Sequence, residues 1–177
     1  YDGGTAVPVA AEAIYVVPNP DTTQYTVISS VDTATGTMID NQSVLGATPE
    51  LYMTGENLYL ARTVYDSEAG DPFTEDGYEV QEFHDTVRTE LLRFSLQSGQ
   101  IDAASQGEVP GRLLNQFSMD EYDGHLRVVT TWDESTYRVY TDQKHGWVNY
   151  QHGDNLTENA LYVLDSDLHV TGRLEGL

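Results

Sequence analysis

The chain repeats one layout of short strands and glycine-bearing turns, and this repetition constrains the fold more than any other feature. Residues 109–131 (VPGRLLNQFSMDEYDGHLRVVTT) read as a strand ending in a turn, a second strand, an acidic tight turn and a third strand. Residues 55–63 (GENLYLART) and 124–131 (GHLRVVTT) match each other: in both, a glycine follows a polar turn and apolar side chains then alternate. Alternation with period two after such a glycine is typical of a strand entered through a tight turn.

The repeat divides most of the chain into units that have the length of a propeller blade. Aligning Gly36 with Gly99 and Leu58 with Leu126 superimposes the strand patterns on either side of them. Without two insertions of about 20 residues each, the unit is roughly 45 to 50 residues long, the length of a four-stranded blade. We predict a linker remnant or edge strand at 1–24, followed by a partial β-propeller at 25–177. The propeller consists of units 25–65 and 89–132 and a half unit 159–174. The two insertions are residues 66–88 and 133–158.

These units predict an all-β fold, a partial β-propeller made of antiparallel four-stranded blade repeats. A blade has two apolar faces and covers neither alone, whereas stacking buries both and contributes about 25 cal/mol per Å² of apolar area. A β-sandwich is the alternative. Because two and a half units cannot close a ring of four to eight blades, we expect open faces and edges. The segment Ile14–Val17 or association between copies would cover them.

The two insertions interrupt this pattern. Residues 66–85 (DSEAGDPFTEDGYEVQEFHD) are acidic and carry several glycine and proline breaks, which predicts a loop with one helical turn near Tyr78–Phe83. The second insertion is polar and contains four aromatic residues, Tyr137, Tyr140, Trp147 and Tyr150. We expect both to be loops between strands of the blades.

The charge of the chain restricts its partners. Asp and Glu number 29 against 8 Lys and Arg, which gives a net charge of −21, and Lys144 is the single lysine. No basic patch is available to meet phosphates, so nucleic acid is excluded as a partner. A dense carboxylate surface with almost no lysine predicts a halophilic protein, although a merely acidic protein has the same composition. Cysteine is absent, so disulfides and thiolate metal sites are excluded.

The most specific motifs lie in residues 109–131 and near the end of the chain. They are VPG at 109–111, LNQFSMDE at 114–121, LRVVTT at 126–131 and NALYVLD at 159–165. With them the chain resembles a family of secreted bacterial and archaeal proteins whose C-terminal β-propeller domain is distantly related to Trp-Asp repeat propellers. The resemblance implies an extracytoplasmic propeller without assigned chemistry, in a longer chain with more blades. It carries over no catalytic residue.

One acidic turn is a candidate metal site. Asp120, Glu121 and Asp123 lie close together in sequence, and clustered carboxylate oxygens suit Ca²⁺. The alternative is an acidic β-turn whose residues serve turn geometry. No EF-hand spacing accompanies the cluster.

Aromatic residues in the second insertion are a candidate binding platform. Tyr137, Tyr140, Trp147 and Tyr150 fall within 14 residues of one another. Amphipathic rings suit surfaces that bind sugars or proteins. The alternative is that these rings hold a long loop against the blade.

Three functions follow from these patterns. The first is a non-enzymatic, extracellular or envelope-associated propeller segment that acts in protein or ligand interaction, with a protein or carbohydrate partner or with self-association through open blade edges. The second is part of a hydrolase or lyase whose site forms at the central channel of a full propeller. The third is a metal-stabilised structural module of a cell envelope. No run of about 18 apolar residues is present, so membrane insertion is not expected.

Overall fold

The computed structural model describes residues 10–20, 22–46 and 50–177 and confirms the all-β prediction. Within these ranges the strands are accompanied by two three-residue 3-10 helices, Ala11–Ala13 and Gln116–Ser118. The strands are β1 (Ile14–Val16), β2 (Tyr25–Val31), β3 (Met38–Leu45), β4 (Glu50–Met53), β5 (Asn57–Ala69), β6 (Phe73–Glu75), β7 (Tyr78–Gln97), β8 (Gln100–Pro110), β9 (Met119–Tyr122), β10 (His125–Thr141), β11 (Val148–Leu164) and β12 (Val170–Glu175). No helix in the described ranges has the length and apolarity needed to span a bilayer. Of the segment predicted at 1–24 as a linker remnant or edge strand, residues 1–9 and Asp21 lie outside the described residues.

The chain divides into two compact units. The first holds the described residues up to Arg62 together with Leu91–Gln106, and the second holds Thr63–Glu90 and Gly107–Leu177.

Two sheets make up the first unit. In one, β3 lies between β1, which is parallel to it, and β2, which is antiparallel. In the other, the strand order within this unit is β4-β5-β7-β8. The hairpins β2–β3 and β4–β5 therefore belong to different sheets, so the four strands of residues 25–65 do not form one four-stranded sheet.

Apolar side chains from both sheets form the core of the first unit. The buried members are Val17, Val44, Leu58, Leu60, Leu92, Phe94 and Ile101. The parallel strand β1 adds Tyr15, and β2 adds Ile28, which are partly buried against this cluster. Each fully buried side chain of this size contributes about 1.5–3 kcal/mol. The two sheets of the first unit therefore share one apolar core.

A four-stranded antiparallel sheet with the order β9-β10-β11-β12 lies in the second unit. The register pairs Leu126 with Leu164 and Val128 with Tyr162, and these four side chains are buried. On β10 the neighbouring Arg127 and Val129 point to the opposite face because side chains alternate along a strand. The alternation predicted from residues 124–131 is confirmed.

The prediction of loops at the two insertions is wrong. Strands β5, β6 and β7 run through residues 66–88, and residues 78–83 are extended rather than helical. Strands β10 and β11 likewise continue through most of 133–158. Asp76 and Gly77, with φ of 50° and 84°, form the tight turn between β6 and β7, so this break in the acidic stretch is a hairpin turn.

Candidate functional site

The two insertions pair with each other and form one sheet, here called the arm (residues 66–88 and 133–158). Strand β10 pairs antiparallel with β7 from Glu134–Thr86 to Thr141–Glu79. On its other side β10 pairs with β11 as far as Thr141–Val148. Strand β6 pairs with the start of β7. The arm is therefore a regular platform, built from segments that lie about 50 residues apart in sequence.

One face of the arm carries stacked and exposed apolar side chains. The register places Phe83 beside Tyr137, and Val139 beside Tyr150. The rings of Phe83 and Tyr137 are 4.9 Å apart between centroids with an interplanar angle of 6°. Tyr150 is 66% exposed and Val148 is 50% exposed. These five side chains are called the aromatic face.

The opposite face is held by polar contacts centred on Arg138. Its Nε donates a hydrogen bond to Glu82 Oε2 at 2.9 Å, and its guanidinium lies 5.9 Å from the centroid of the Phe73 ring. The Tyr140 hydroxyl donates a hydrogen bond to Glu75 Oε2 at 3.0 Å. The Tyr140 ring packs edge-on against the ring of Tyr78. Hydrogen bonding to Glu82, followed by that to Tyr140, holds the pKa of Arg138 above its ordinary value. These contacts orient the strands, while on the aromatic face Val148 and Tyr150 are exposed and Phe83, Tyr137 and Val139 are half-buried.

The tip of the arm is a turn stabilised by Asp142. Its carboxylate accepts hydrogen bonds from the backbone N–H of Lys144 at 2.8 Å and of His145 at 3.1 Å, and Oδ2 lies 2.7 Å from His145 Nδ1. Gly146 follows with a φ of 72°. The hydrogen bond from His145, and then that from Lys144, lowers the pKa of Asp142. The tip presents Trp147, which is 76% exposed and lies 5.9 Å from the His145 ring.

At the base of the arm a single arginine gathers carboxylates from three strands. Arg88 contacts Asp66, Glu90 at 3.1 Å and Glu108 at 3.2 Å. The Arg88 side chain is 29% exposed, so water screens these ion pairs only in part. They tie β5, β7 and β8 together at the base of the arm.

The predicted platform is divided by the arm rather than gathered on one surface. Tyr137 and Tyr150 lie on the aromatic face, Tyr140 lies on the opposite face, and Trp147 lies at the tip. Phe83 is absent from the platform predicted from the sequence, because the composition of residues 66–88 predicts a loop there. The signal that could have found it is the Asp76-Gly77 pair followed by alternating side chains, which is a hairpin pattern.

The predicted Ca²⁺ residues are not brought together. Asp120 faces Arg127 across the β9–β10 pair, with its Oδ1 accepting from Arg127 Nε at 2.7 Å and its Oδ2 contacting Nη2. Glu121 lies on the other face of β9, and Asp123 occupies the tight turn with a φ of 50°. No group of three or more acidic or histidine side chains suited to a metal ion occurs in the described part of the chain. Calcium binding here stays a prediction that calorimetric titration would test.

A second exposed apolar pair lies in the loop after β8. Leu114 is 78% exposed and Phe117 is 86% exposed. The loop is held firmly, since the buried Thr89 hydroxyl donates to Gly111 O at 2.7 Å and the Asn115 side chain accepts from the Phe117 N–H at 2.9 Å. These two side chains are the natural reference for any test of the aromatic face, because they lie outside the arm.

The chain is similar in sequence to two archaeal proteins. An uncharacterized protein of Archaeoglobus fulgidus is 41% identical over 91 residues, which are 50% of this chain and 10% of that protein. Uncharacterized protein MJ1554 of Methanocaldococcus jannaschii is 35% identical over 102 residues, which are 58% of this chain and 13% of that protein. The matched residues thus span about a tenth of the length of these relatives. No solved structure matches the chain significantly.

The family of the chain follows from a match along its whole length. The model of the family described as "Beta propeller domain" matches residues 1–177. The stacked sheets of the first unit and the four-stranded antiparallel sheet of the second unit are what a partial propeller requires. The chain belongs to the beta propeller domain family.

Proposed function

We propose that the chain is an extracytoplasmic propeller segment that acts in protein interaction, and that the aromatic face of the arm is its binding surface. The observation that carries this proposal is the pairing of the two insertions into one sheet that displays Phe83, Tyr137 and Tyr150 on one side. Aromatic side chains are enriched at protein interfaces, where they supply large contact areas with little loss of conformational freedom. The stacked pair is already fixed in place, so binding would cost little further ordering.

The surroundings of the face support a protein partner of opposite charge. The arm carries 13 acidic residues against 3 basic ones. Such a field steers oppositely charged partners and repels nucleic acid. An apolar centre with a charged surround has the composition of a protein–protein interface, with the rings in its core and the carboxylates at its rim.

The test is capture from the secreted and envelope fractions of the source organism. The immobilised chain is compared with a Tyr137→Ser/Tyr150→Ser variant and with Phe117→Ser, which removes an exposed ring outside the arm. We expect a protein retained by the original chain and by Phe117→Ser, and recovered at least tenfold less with the double variant. Equal recovery by all three would contradict the proposal. Loss of binding to soluble polysaccharides in the double variant, without any protein captured, would replace it with carbohydrate binding.

Location is tested separately. The resemblance of the sequence to a family of secreted proteins supports an extracytoplasmic site. An antibody against the arm should detect the protein in the medium or in the envelope fraction and be accessible to protease in intact cells. Protection from protease until the cells are lysed would contradict this part of the proposal.

A further inference from the structure

The arm ends in an open strand edge next to the aromatic face. Residues 148–158 of β11 pair with β10, and β12 pairs only with residues 160–164 farther along β11. Within the described ranges no strand lies on the other side of residues 148–158. An edge of this kind presents backbone N–H and C=O groups that an added strand can bind.

The hairpin geometry shows which backbone groups point outward. The N–H of Asp142 donates to Trp147 O at 2.8 Å, so this pair is a hydrogen-bonded pair of the antiparallel ladder. Hydrogen-bonded and non-hydrogen-bonded pairs alternate along such a ladder. Asn149 and Gln151 therefore point their backbone groups toward β10, while Val148, Tyr150 and His152 point theirs to the open edge.

A β-bulge sets the length of this edge. The register shifts so that Ser135 pairs with Asn155 and Tyr137 with His152. Gly153 lies in this irregularity, where an added Cβ would be 2.4 Å from Thr136 Oγ1. The regular edge therefore covers residues 148–152, which is roughly 17 Å of strand at the usual rise per residue.

The charge along this edge differs from that of the rest of the arm. Residues 143–153 contain no Asp or Glu, whereas the chain as a whole holds 29 acidic residues in 177. Asp142 and Asp154 border this stretch on either side. An acid-free edge inside an acidic arm suits a segment whose backbone fits the edge and whose basic side chains reach the surrounding carboxylates.

We infer that the edge of β11 at residues 148–152 binds an extended, positively charged segment of a partner protein, which adds a strand to the arm. This inference rests on the proposed function and specifies the partner and the mode of binding. Side chains at alternate positions of the added strand would lie beside Val148, Tyr150 and His152, on the aromatic face, and would select for apolar residues there. Pairing with a second copy is disfavoured, because two arms that each hold 13 acidic and 3 basic residues would face one another.

The experiment uses the whole chain and synthetic peptides. The probe is an eight-residue peptide of alternating lysine and valine. The controls are a lysine–proline peptide of equal length and charge, which cannot form a strand, and a glutamate–valine peptide. We expect binding of the lysine–valine peptide at least tenfold tighter than binding of either control. Equal binding of the lysine–proline peptide would show attraction by charge alone and would overturn the inference, as would a peptide-independent dimer formed through β11.

Variants separate the edge from the face. Tyr150→Pro removes an outward N–H while leaving the bonds to β10, whereas Tyr150→Ala removes the same ring and keeps that N–H. Tyr150→Pro should weaken peptide binding at least tenfold more than Tyr150→Ala does, and Phe117→Ala should leave it unchanged. If Tyr150→Pro does not fold, amide hydrogen exchange of the unaltered chain decides the matter. The amides of Tyr150 and His152 should exchange fast in the free protein and slow down with the peptide, while those of Asn149 and Gln151 are slow in both. Unchanged exchange at Tyr150 would overturn the inference. Protein capture that depends on Tyr137 and falls equally with Tyr150→Pro and Tyr150→Ala would overturn the inference and leave the proposed function standing.

Discussion

Phe83 and Tyr137 stack nearly parallel, with ring centroids 4.9 Å apart, although they come from two different insertions of the chain. The contact lies at a register pair between β7 and β10. It joins two segments that sequence patterns assign to separate loops. The stacked pair is thus both part of the proposed binding face and part of what holds the arm together.

A double-mutant cycle should measure this contact. Phe83→Ala and Tyr137→Ala should each destabilise the chain, and together they should cost less than the sum of their separate effects. The expected coupling is about 0.5–1.5 kcal/mol, as for other aromatic pairs. The free energy of unfolding is measured in urea. A control cycle of Phe83→Ala with Trp147→Ala, which lies at the tip roughly 17 Å along the strand, should show additivity. Additivity in the first cycle would contradict the stacking.

Two glycines with positive φ should respond very differently to alanine. At Gly124, with φ of 71°, an added Cβ would meet nothing within 4 Å, so Gly124→Ala should cost about 1–2 kcal/mol from backbone strain alone. At Gly111, with φ of 88°, the Cβ would lie 2.7 Å from Thr130 Oγ1 and 2.8 Å from Thr131 O. Gly111→Ala should therefore cost at least about 1–3 kcal/mol more. Equal midpoints in urea for the two variants would show that the close packing at Gly111 is not as described.

Arg127 should control the titration of Asp120. The hydrogen bonds from the Arg127 side chain hold the pKa of Asp120 below its ordinary value of 3.8. Arg127→Gln removes this cause and should raise the pKa of Asp120, as followed by NMR of the side-chain carboxyl. A pKa lowered in the folded state adds stability that is present above the unfolded value and is lost as pH falls through the folded value. The original chain should therefore lose its advantage in free energy of unfolding over the Arg127→Gln variant as the pH falls through the lowered pKa of Asp120.

Asp165 is the control for this titration. Its pKa is lowered chiefly by the backbone hydrogen bond from His169, and Arg127→Gln does not remove that bond. The pKa of Asp165 should stay where it is in the variant. A parallel shift of both carboxyls would indicate a general loss of structure instead of a local effect.

The sequence predicts the strands well because alternation and turn residues are local signals. The turns at Ser98-Gly99 and Asp123-Gly124 have the positive φ values expected of tight hairpins. The same signal at Asp76-Gly77 is harder to read in the sequence, because many of the flanking residues are acidic and few are apolar. An acidic hairpin arm therefore resembles a loop when its stabilising contacts come from another segment.

Which strands pair is a long-range property that local patterns do not determine. The repeat identifies the strands in residues 25–65, but the division of these strands between two sheets depends on β1 and on β7. In the same way, nothing near Tyr137 indicates that its partner is Phe83. The division of the aromatic residues between two faces and a tip follows from this register, and so the candidate site emerges only from the fold.

Salt should stabilise the chain strongly. The net charge of −21 places many carboxylates near one another, and at low ionic strength their repulsion extends about 30 Å. Raising the salt from about 0.01 M to the molar range shortens this distance to about 3 Å, so the melting temperature should rise by many degrees. A Glu68→Gln/Asp71→Asn/Asp76→Asn variant removes three of these charges and should melt higher at low salt with a shallower dependence. A melting temperature that stays flat across this range would show that repulsion among the carboxylates does not limit stability, and that the acidic composition serves solubility alone.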